Sequence, residues 1–398
     1  MRIEQKFLKK IAIVVFIVLL PIGCIEPIDI KTETFESALV VEAVISDNLE
    51  PQEISLSRTF RLEEDGPSPE SNARVTIVDD LGNEFLFAES EPGKYLSLDP
   101  FKAMEERSYT LEIVTQENRL YSSEPETLPE AAEITGLVAE RVTYQGEDGM
   151  ALLVDVQGPS KNAGFYRFTY EETYKIISPF SYPLDLKYEN GSLVEVPKTK
   201  EERTCYNTKT SEEIILASTR AQVDNDLERF IVRFINSEDP ILSHRYSILV
   251  NQFSISAEAY SYYETLKDFS GSENLFSQNQ PGFINGNMVS VSNPDEKVIG
   301  FFSLAAVEQK RIFFDFEDFY TQEEAPEHFI DCVISRPEIT VPEHIEALGE
   351  MLASGRVKYL GYTQVAGGPG EGPYMVVDAA CVDCTVLGSN QKPDFWEE

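Results

Sequence analysis

Residues 38–46 read ALVVEAVIS, in which Leu39, Val41, Ala43 and Ile45 alternate with Val40, Glu42 and Val44. Side chains of an extended strand point to opposite faces in turn, so apolar residues at every second position supply one buried face. Short alternating runs follow: QEISLSR (52–58), ARVTIVDD (73–80), NEFLFAE (83–89), GKYLSL (93–98), SYTLEIVT (108–115) and RLYSS (119–123). Turn-forming residues break them apart, as at Asp65-Gly66-Pro67 and Leu81-Gly82-Asn83. This spacing predicts an immunoglobulin-like β-sandwich over residues 38–123.

After this block, Glu124–Glu130 reads EPETLPE, with two prolines and three acids, and is expected to be a linker. Residues 131–398 continue in strand-like runs, among them EITGLVAERVTY (133–144), GFYRFTYEETYKII (164–177), RFIVRFI (229–235) and RYSILVNQF (245–253). The period then lengthens. Ser256 is placed to cap a helix whose early acid, Glu258, suits the positive helix N-terminus, with Tyr260, Tyr263 and Lys267 on one side. That helix is expected to stop near Phe269, before the Gly/Asn/Gln-rich stretch that ends in Asn285-Gly286-Asn287. Strands resume with KVIGFFSLAAV (297–307) and RIFFDFEDF (311–319), and a second helix is signalled by Pro342 and a terminating Gly355. The predicted class is therefore mainly β: a sandwich followed by a larger β-rich domain, residues 131–398, with a few helices. No fixed-period repeat points to a solenoid or propeller.

Residues 1–25 carry a different signal. Arg2, Lys6, Lys9 and Lys10 precede an apolar run from Ile11 to Leu20, which is too short to span a hydrocarbon core of about 30 Å. These features are those of a secretory signal peptide, residues 1–23, with cleavage expected between Gly23 and Cys24. The Gly-Cys ending resembles a lipobox, the processing site of bacterial lipoproteins, although Pro21 and Ile22 depart from its usual leucine and small residue. Cys24 is then the expected lipid attachment site, and residues 24–37 the expected tether. Acyl chains on one residue anchor a protein without a spanning helix.

The full chain carries 33 basic and 69 acidic residues, a formal net charge of −36. Such a surface repels phosphate backbones, so nucleic acid is excluded as a partner. The remaining cysteines, Cys205, Cys332, Cys381 and Cys384, allow three pairings in an exported protein and are expected to be structural disulfides that tie down a glycine-rich tail. Cys381-Val382-Asp383-Cys384 has a redox spacing but lacks the strand-to-helix setting of a thioredoxin-like motif. Zinc is disfavoured, because only one close-spaced cysteine pair exists. His244, His328 and His344 form no metal-binding pattern, and no metal or cofactor is expected beyond the acyl lipid. Gly367–Gly372 lacks the Lys-Ser/Thr ending and following helix of a phosphate loop. Gly158-Pro159-Ser160 lacks the setting of a nucleophile elbow. Asp315, Glu317 and Asp318 could serve acid/base chemistry on a sugar, but close acids carry little information in so acidic a chain. Tyr260, Tyr262 and Tyr263 are the candidate binding residues, with helix packing as the alternative. No catalytic residue is assigned.

Several of these stretches together carry a resemblance: the lipid-attachment cysteine and acidic tether, LVVEAVIS, Cys205-Tyr206, NGN at 285–287, IGFF at 299–302 and the closing CVDCTVLGSNQKPDFW. In these the chain resembles a Bacteroidota outer-membrane lipoprotein family, domain of unknown function 4249, whose genes often lie beside those of TonB-dependent receptors. The resemblance implies a lipid-anchored outer-membrane protein, surface-exposed or on the periplasmic face, that works as a binding or accessory partner of a TonB-dependent β-barrel receptor in uptake or surface assembly. It implies no catalytic residues and no particular ligand. The alternatives are an adhesion or structural surface protein and, third, a glycan-active hydrolase.

Overall fold

The computed structural model describes residues 37–398 except 62, 65, 160–163, 223–224, 271–283, 285 and 365–370. The expected signal peptide, Cys24 and nearly all of the expected tether lie outside the described residues, as does most of the Gly367–Gly372 segment. The chain divides into two units. One comprises Met1–Ser37 and Phe60–Gly66, where the Glu64 amide donates to the Arg61 carbonyl in a tight turn. The other, Ala38–Thr59 with Pro67–Glu398, holds every strand named below.

The alternation at 38–46 becomes strand β1 (Leu39–Ser46), with Leu39, Val41, Ala43 and Ile45 buried. There follow β2 (Glu53–Arg58), β3 (Ser68–Pro69), β4 (Arg74–Asp79), β5 (Glu84–Glu91), β6 (Lys94–Ser97), β7 (Ser108–Val114), β8 (Leu120–Ser123) and β9 (Glu126–Thr127). Each of the seven expected runs forms a strand. The segment expected as a linker is partly strand as well, since β9 pairs with β7. Inward residues, including Ile54, Ile77, Leu111 and Ile113, form one apolar core.

The next strands are β10 (Glu133–Tyr144), β11 (Glu147–Gln157), β12 (Phe165–Ile177), β13 (Leu184–Glu189), β14 (Ser192–Pro197), β15 (Thr204–Thr210), β16 (Ile215–Ser218), β17 (Leu227–Asn236) and β18 (Tyr246–Ser254). Sheet β10-β11-β17 and the strands β12, β15, β16 and β18 contribute to a second core. Its inner face holds the buried Glu172 carboxylate, which accepts hydrogen bonds from the Tyr246 hydroxyl at 2.7 Å and from its ion-pair partner Arg233, through Nε, at 3.2 Å. Helix α1 (Ala257–Ser270) begins where expected: the Ala259 amide donates to Ser256 Oγ at 3.1 Å. After β19 (Met288–Ser290) comes β20 (Val298–Phe314).

Strand β20 joins the two cores. The sequence reading places two strands here, 297–307 and 311–319, but the backbone runs unbroken for 17 residues. Val298–Ala305 pairs in parallel with β1, and Ala306–Phe314 pairs antiparallel with β18. Glu308, Gln309 and Lys310 look like a loop because they are polar, yet they are in register with Gln252, Asn251 and Val250. The strand is polar where it leaves one core for the other. Pairing thus crosses the expected break at 124–130, and β19 also joins the first body by pairing with β8.

The chain ends in a mixed segment containing helix α2 (Pro342–Ala353), β21 (Val357–Tyr362) and β22 (Tyr374–Asp378). Strands β13 and β14, absent from the sequence reading, form a hairpin. Its two-residue turn, Asn190-Gly191, has φ of 50° and 80°, the left-handed pair that a tight hairpin requires and that Asn-Gly tolerates.

Candidate functional site

Helix α1 lies over the outer face of β20, and this is where the candidate tyrosines go. The Tyr262 ring centroid is 5.5 Å from that of Phe301, and Tyr260 is 5.4 Å from Phe165. The Arg167 guanidinium sits 4.9 Å from the centre of the Tyr263 ring. All three therefore take part in packing. Burial pushes the Tyr262 hydroxyl up to about 12.

Tyr262 also faces a cavity of about 310 Å³, together with Glu124, Glu126, Glu258, Asn287 and Phe301. The NGN and IGFF stretches meet here. Gly286 approaches β20 so closely that a Cβ on it would lie 1.6 Å from the Gly300 carbonyl oxygen, so only glycine fits. Beside it, Asn287 Oδ1 accepts from the Phe302 amide and Nδ2 donates to the Phe302 carbonyl, both at 2.8 Å. A side-chain amide thus imitates a strand partner and links the β19 end of the first body to β20. Asn287 Nδ2 also donates to Glu126 Oε1 at 3.0 Å.

Glu126 is the site's most perturbed acid. Burial raises its carboxyl to about 7; the Asn287 bond opposes the shift, and the Glu258 and Glu124 carboxylates add to it. The cavity thus presents mainly acceptors, which suits a ligand group carrying N–H or O–H donors. Sequence reading assigned Glu126 to a linker and missed it. No sequence signal marked it, because its position depends on the pairing of β9 with β7, which sets it opposite Tyr109, and on Asn287 from far along the chain.

The four cysteines form a separate, structural centre. Cys205 is bonded to Cys384 and Cys332 to Cys381, so the cysteines of the CVDC stretch bond outward and not to each other. Asp383 between them is buried, and Lys358 lies 2.8 Å from it and 3.1 Å from Glu202. Burial alone would raise the Asp383 carboxyl, but the Lys358 ammonium and the Thr385 donors hold it below the usual range. The rest of the tail follows the same seam. Tyr206 and Ser389 exchange backbone hydrogen bonds at 2.8 Å, and Trp396 meets Tyr206 and Phe313 edge-on at 4.9 and 5.8 Å. Phe395 covers the Arg311 guanidinium at 3.7 Å.

The other sequence candidates are occupied locally. Asp315 pairs with Arg245, and Asp318 accepts from the Asp315 amide at 2.9 Å. Asp315 and Glu317 border a cavity of about 330 Å³ with Lys175, His244, Arg245 and Glu398, where burial lowers the His244 imidazole. Among the described residues no group of three His, Cys, Asp or Glu is placed to hold a metal ion. A cavity of about 430 Å³ lies among β13, α2 and β21, walled in part by Leu186, Tyr188, Leu352 and Tyr359. No helix among the described residues is long and apolar enough to cross a membrane.

A family model described as "Domain of unknown function (DUF4249)" matches residues 25–311, most of the chain, and the chain belongs to that family. The matched residues include β1, Cys205-Tyr206, NGN and IGFF, and they end before the CVDC stretch. No curated protein matches. Among solved structures, the chain is similar to a DUF4785 family protein from Legionella pneumophila at 9% identity and a TM-score of 0.19, over 54% of this chain and 52% of that one. The chain thus spans about half the length of that structure, and the likeness is too slight to carry an argument.

Proposed function

We propose that this member of the DUF4249 family is a lipid-anchored outer-membrane protein that serves as a binding or accessory partner of a TonB-dependent β-barrel receptor, in uptake or surface assembly. The observation that carries the reading is the pair of disulfides, which link cysteines 179 and 49 residues apart. Disulfides of this kind form and persist in oxidising compartments and are rare where thiols are kept reduced. This supports export, and the N-terminal sequence ending in Gly23-Cys24 supplies a route to a lipid anchor. Two cores joined by one strand, β20, suit a body that must present a surface at the end of a tether. The acidic cavity at Glu126 and Tyr262 offers a place for a ligand bearing donors. Bacteroidota origin and the receptor partnership rest on the resemblance of the sequence.

Purification of the lipidated protein in gentle detergent, with mass spectrometry of what accompanies it, tests the proposal. A β-barrel receptor should co-purify in stoichiometric amount, and Cys24→Ala should move the protein from the membrane to the soluble fraction. Membrane attachment that survives Cys24→Ala would refute the anchor. Recovery of the anchored protein without any barrel would refute the receptor partnership and favour an adhesive or structural surface role.

A further inference from the structure

Side chains of β12 alternate between two surroundings. Tyr166 and Phe168 enter the second core, which turns Phe165 and Arg167 to the opposite face, on the side of helix α1. Arg167 is flanked in the sheet by Leu216 of β16 and Phe253 of β18, and Tyr263 of α1 packs on it. Its guanidinium sits 5.0 Å from the centre of the Phe253 ring and 4.9 Å from that of the Tyr263 ring. The two rings hold the group in place by cation–π attraction and accept none of its N–H donors as a carboxylate would. Among the described residues those donors meet no carboxylate.

This setting sets Arg167 apart. Arg58, Arg107, Arg233, Arg245, Arg311 and Arg336 are also partly buried, and each forms an ion pair with a carboxylate. Arg167 is the one partly buried arginine among the described residues without such a pair, in a chain of 69 acids and 33 bases. A cation that has given up part of its hydration gains from a counter-charge, and here the described chain supplies none. Arg220, 5.0 Å from the centre of the Phe165 ring, is a second guanidinium with no carboxylate partner among the described residues, and it adds to the positive field on this face.

We propose that Arg167 anchors a docking surface that receives an aspartate or glutamate side chain of a partner protein. A carboxylate matches the fork of a guanidinium through two parallel hydrogen bonds. Leu216, Phe253 and Tyr263 are partly exposed and supply an apolar surround, and arginine among aromatic rings is the composition of interface hot spots. Arg167 borders none of the cavities described above, so a small free carboxylate would be held by a single surface charge pair, which is weak. A protein side chain brings the surrounding contact area that excludes water from the pair. A second copy of the chain is disfavoured as the partner, because each copy carries a formal charge of −36. The inference rests on the reading of the protein as a binding partner and names the surface it uses.

Two measurements test it. In the first, the protein isotope-labelled at arginine is titrated with N-acetylglutamate amide, and the neutral N-acetylglutamine amide serves as control. The Arg167 Nε–H signal, identified by its loss in Arg167→Lys, should move saturably with the glutamate derivative and stay still with the glutamine one. In the second, the lipidated protein is purified in gentle detergent with its β-barrel partner. Arg167→Gln, which removes the charge, should weaken barrel binding about tenfold, the loss of a charge-assisted hydrogen-bonded pair. Arg167→Lys should weaken it about threefold, because an ammonium keeps the charge without the fork. Melting curves establish that each variant is folded. An Arg167 signal that does not respond, or barrel binding indifferent to both substitutions, overturns the proposal. A variant that melts lower yet binds the barrel equally also overturns it, since Arg167 would then only pin α1 to the sheet. A saturable Arg167 response with no barrel recovered from the wild type supports the carboxylate site and refutes the receptor reading.

Discussion

Leu39, Ile45, Ile77, Leu111 and Phe302 fill the first core, to which residues 38–123 contribute no cysteine. The last twenty residues, by contrast, contain two three-residue turns, Ala379–Cys381 and Cys384–Val386, and are tied back through Cys381 and Cys384. In the first region the alternation of apolar side chains supplies enough buried surface for the strands to hold one another. The tail offers few large apolar side chains, and what it buries is mostly small: Ala379, Ala380, Val382 and the cysteines, with Trp396 the one large ring. A segment that cannot offset its ordering entropy by burial needs a covalent link. The two regions therefore should fail under different treatments.

The largest effect is expected at the Cys205–Cys384 bond. By chain entropy, a loop of 179 residues corresponds to about 5 kcal/mol and one of 49 to about 4 kcal/mol. Urea unfolding of the Cys205→Ser/Cys384→Ser protein should show a loss of this order, and chymotrypsin, which can cleave after Leu387, Phe395 and Trp396, should cut the tail first while amide protection in β1–β8 persists. Simultaneous loss of protection in both regions would break the comparison.

Phe302→Ala approaches from the other side, removing a fully buried ring from the first core. A loss of about 4 kcal/mol is expected in non-reducing urea unfolding. Because β20 serves both cores, hydrogen exchange should rise in β18 as well as in β1. Unchanged exchange in β18 would mean that the shared strand does not couple them.

Asn287→Ala should cost about 2 kcal/mol, since it leaves the Phe302 amide and carbonyl without this partner. Thermal melting of the variant measures it, and a change below about 0.5 kcal/mol would deny the side chain its role in joining β19 to β20.

The smallest effect is the pH dependence of Glu126, whose carboxyl is raised to about 7 in the folded state. The folded chain holds this proton more tightly than the unfolded chain. The stability it contributes is therefore full below the ordinary Glu value of about 4.5 and is lost as pH rises through about 7. Solvent screening of a half-buried group reduces the loss to about 1 kcal/mol. Glu126→Gln should flatten the stability curve between those limits. Asp79 and Asp383, held below the usual carboxylate range, act oppositely and lose their contribution in acid. An unchanged slope in the Gln variant would assign the pH dependence elsewhere.

What the sequence determined by itself is local. The alternation in ALVVEAVIS specifies a strand with Leu39 and Val41 inward, and Ser256 and Pro342 announce helix starts, because these signals act between residues a few positions apart. The hairpin of β13 and β14 was announced by Asn190-Gly191, yet its strands are too exposed to stand out by burial period. Tertiary structure alone decided that β1 pairs in parallel with β20 from some 250 residues away, and which cysteine meets which. It also decided that tyrosines chosen as binders pack on Phe165, Phe301 and Arg167, and that Glu126 borders a cavity. The physical reason is that period and capping report the energetics of one segment, whereas pairing, burial of a charge and an unpaired guanidinium depend on which distant surface the fold brings against it.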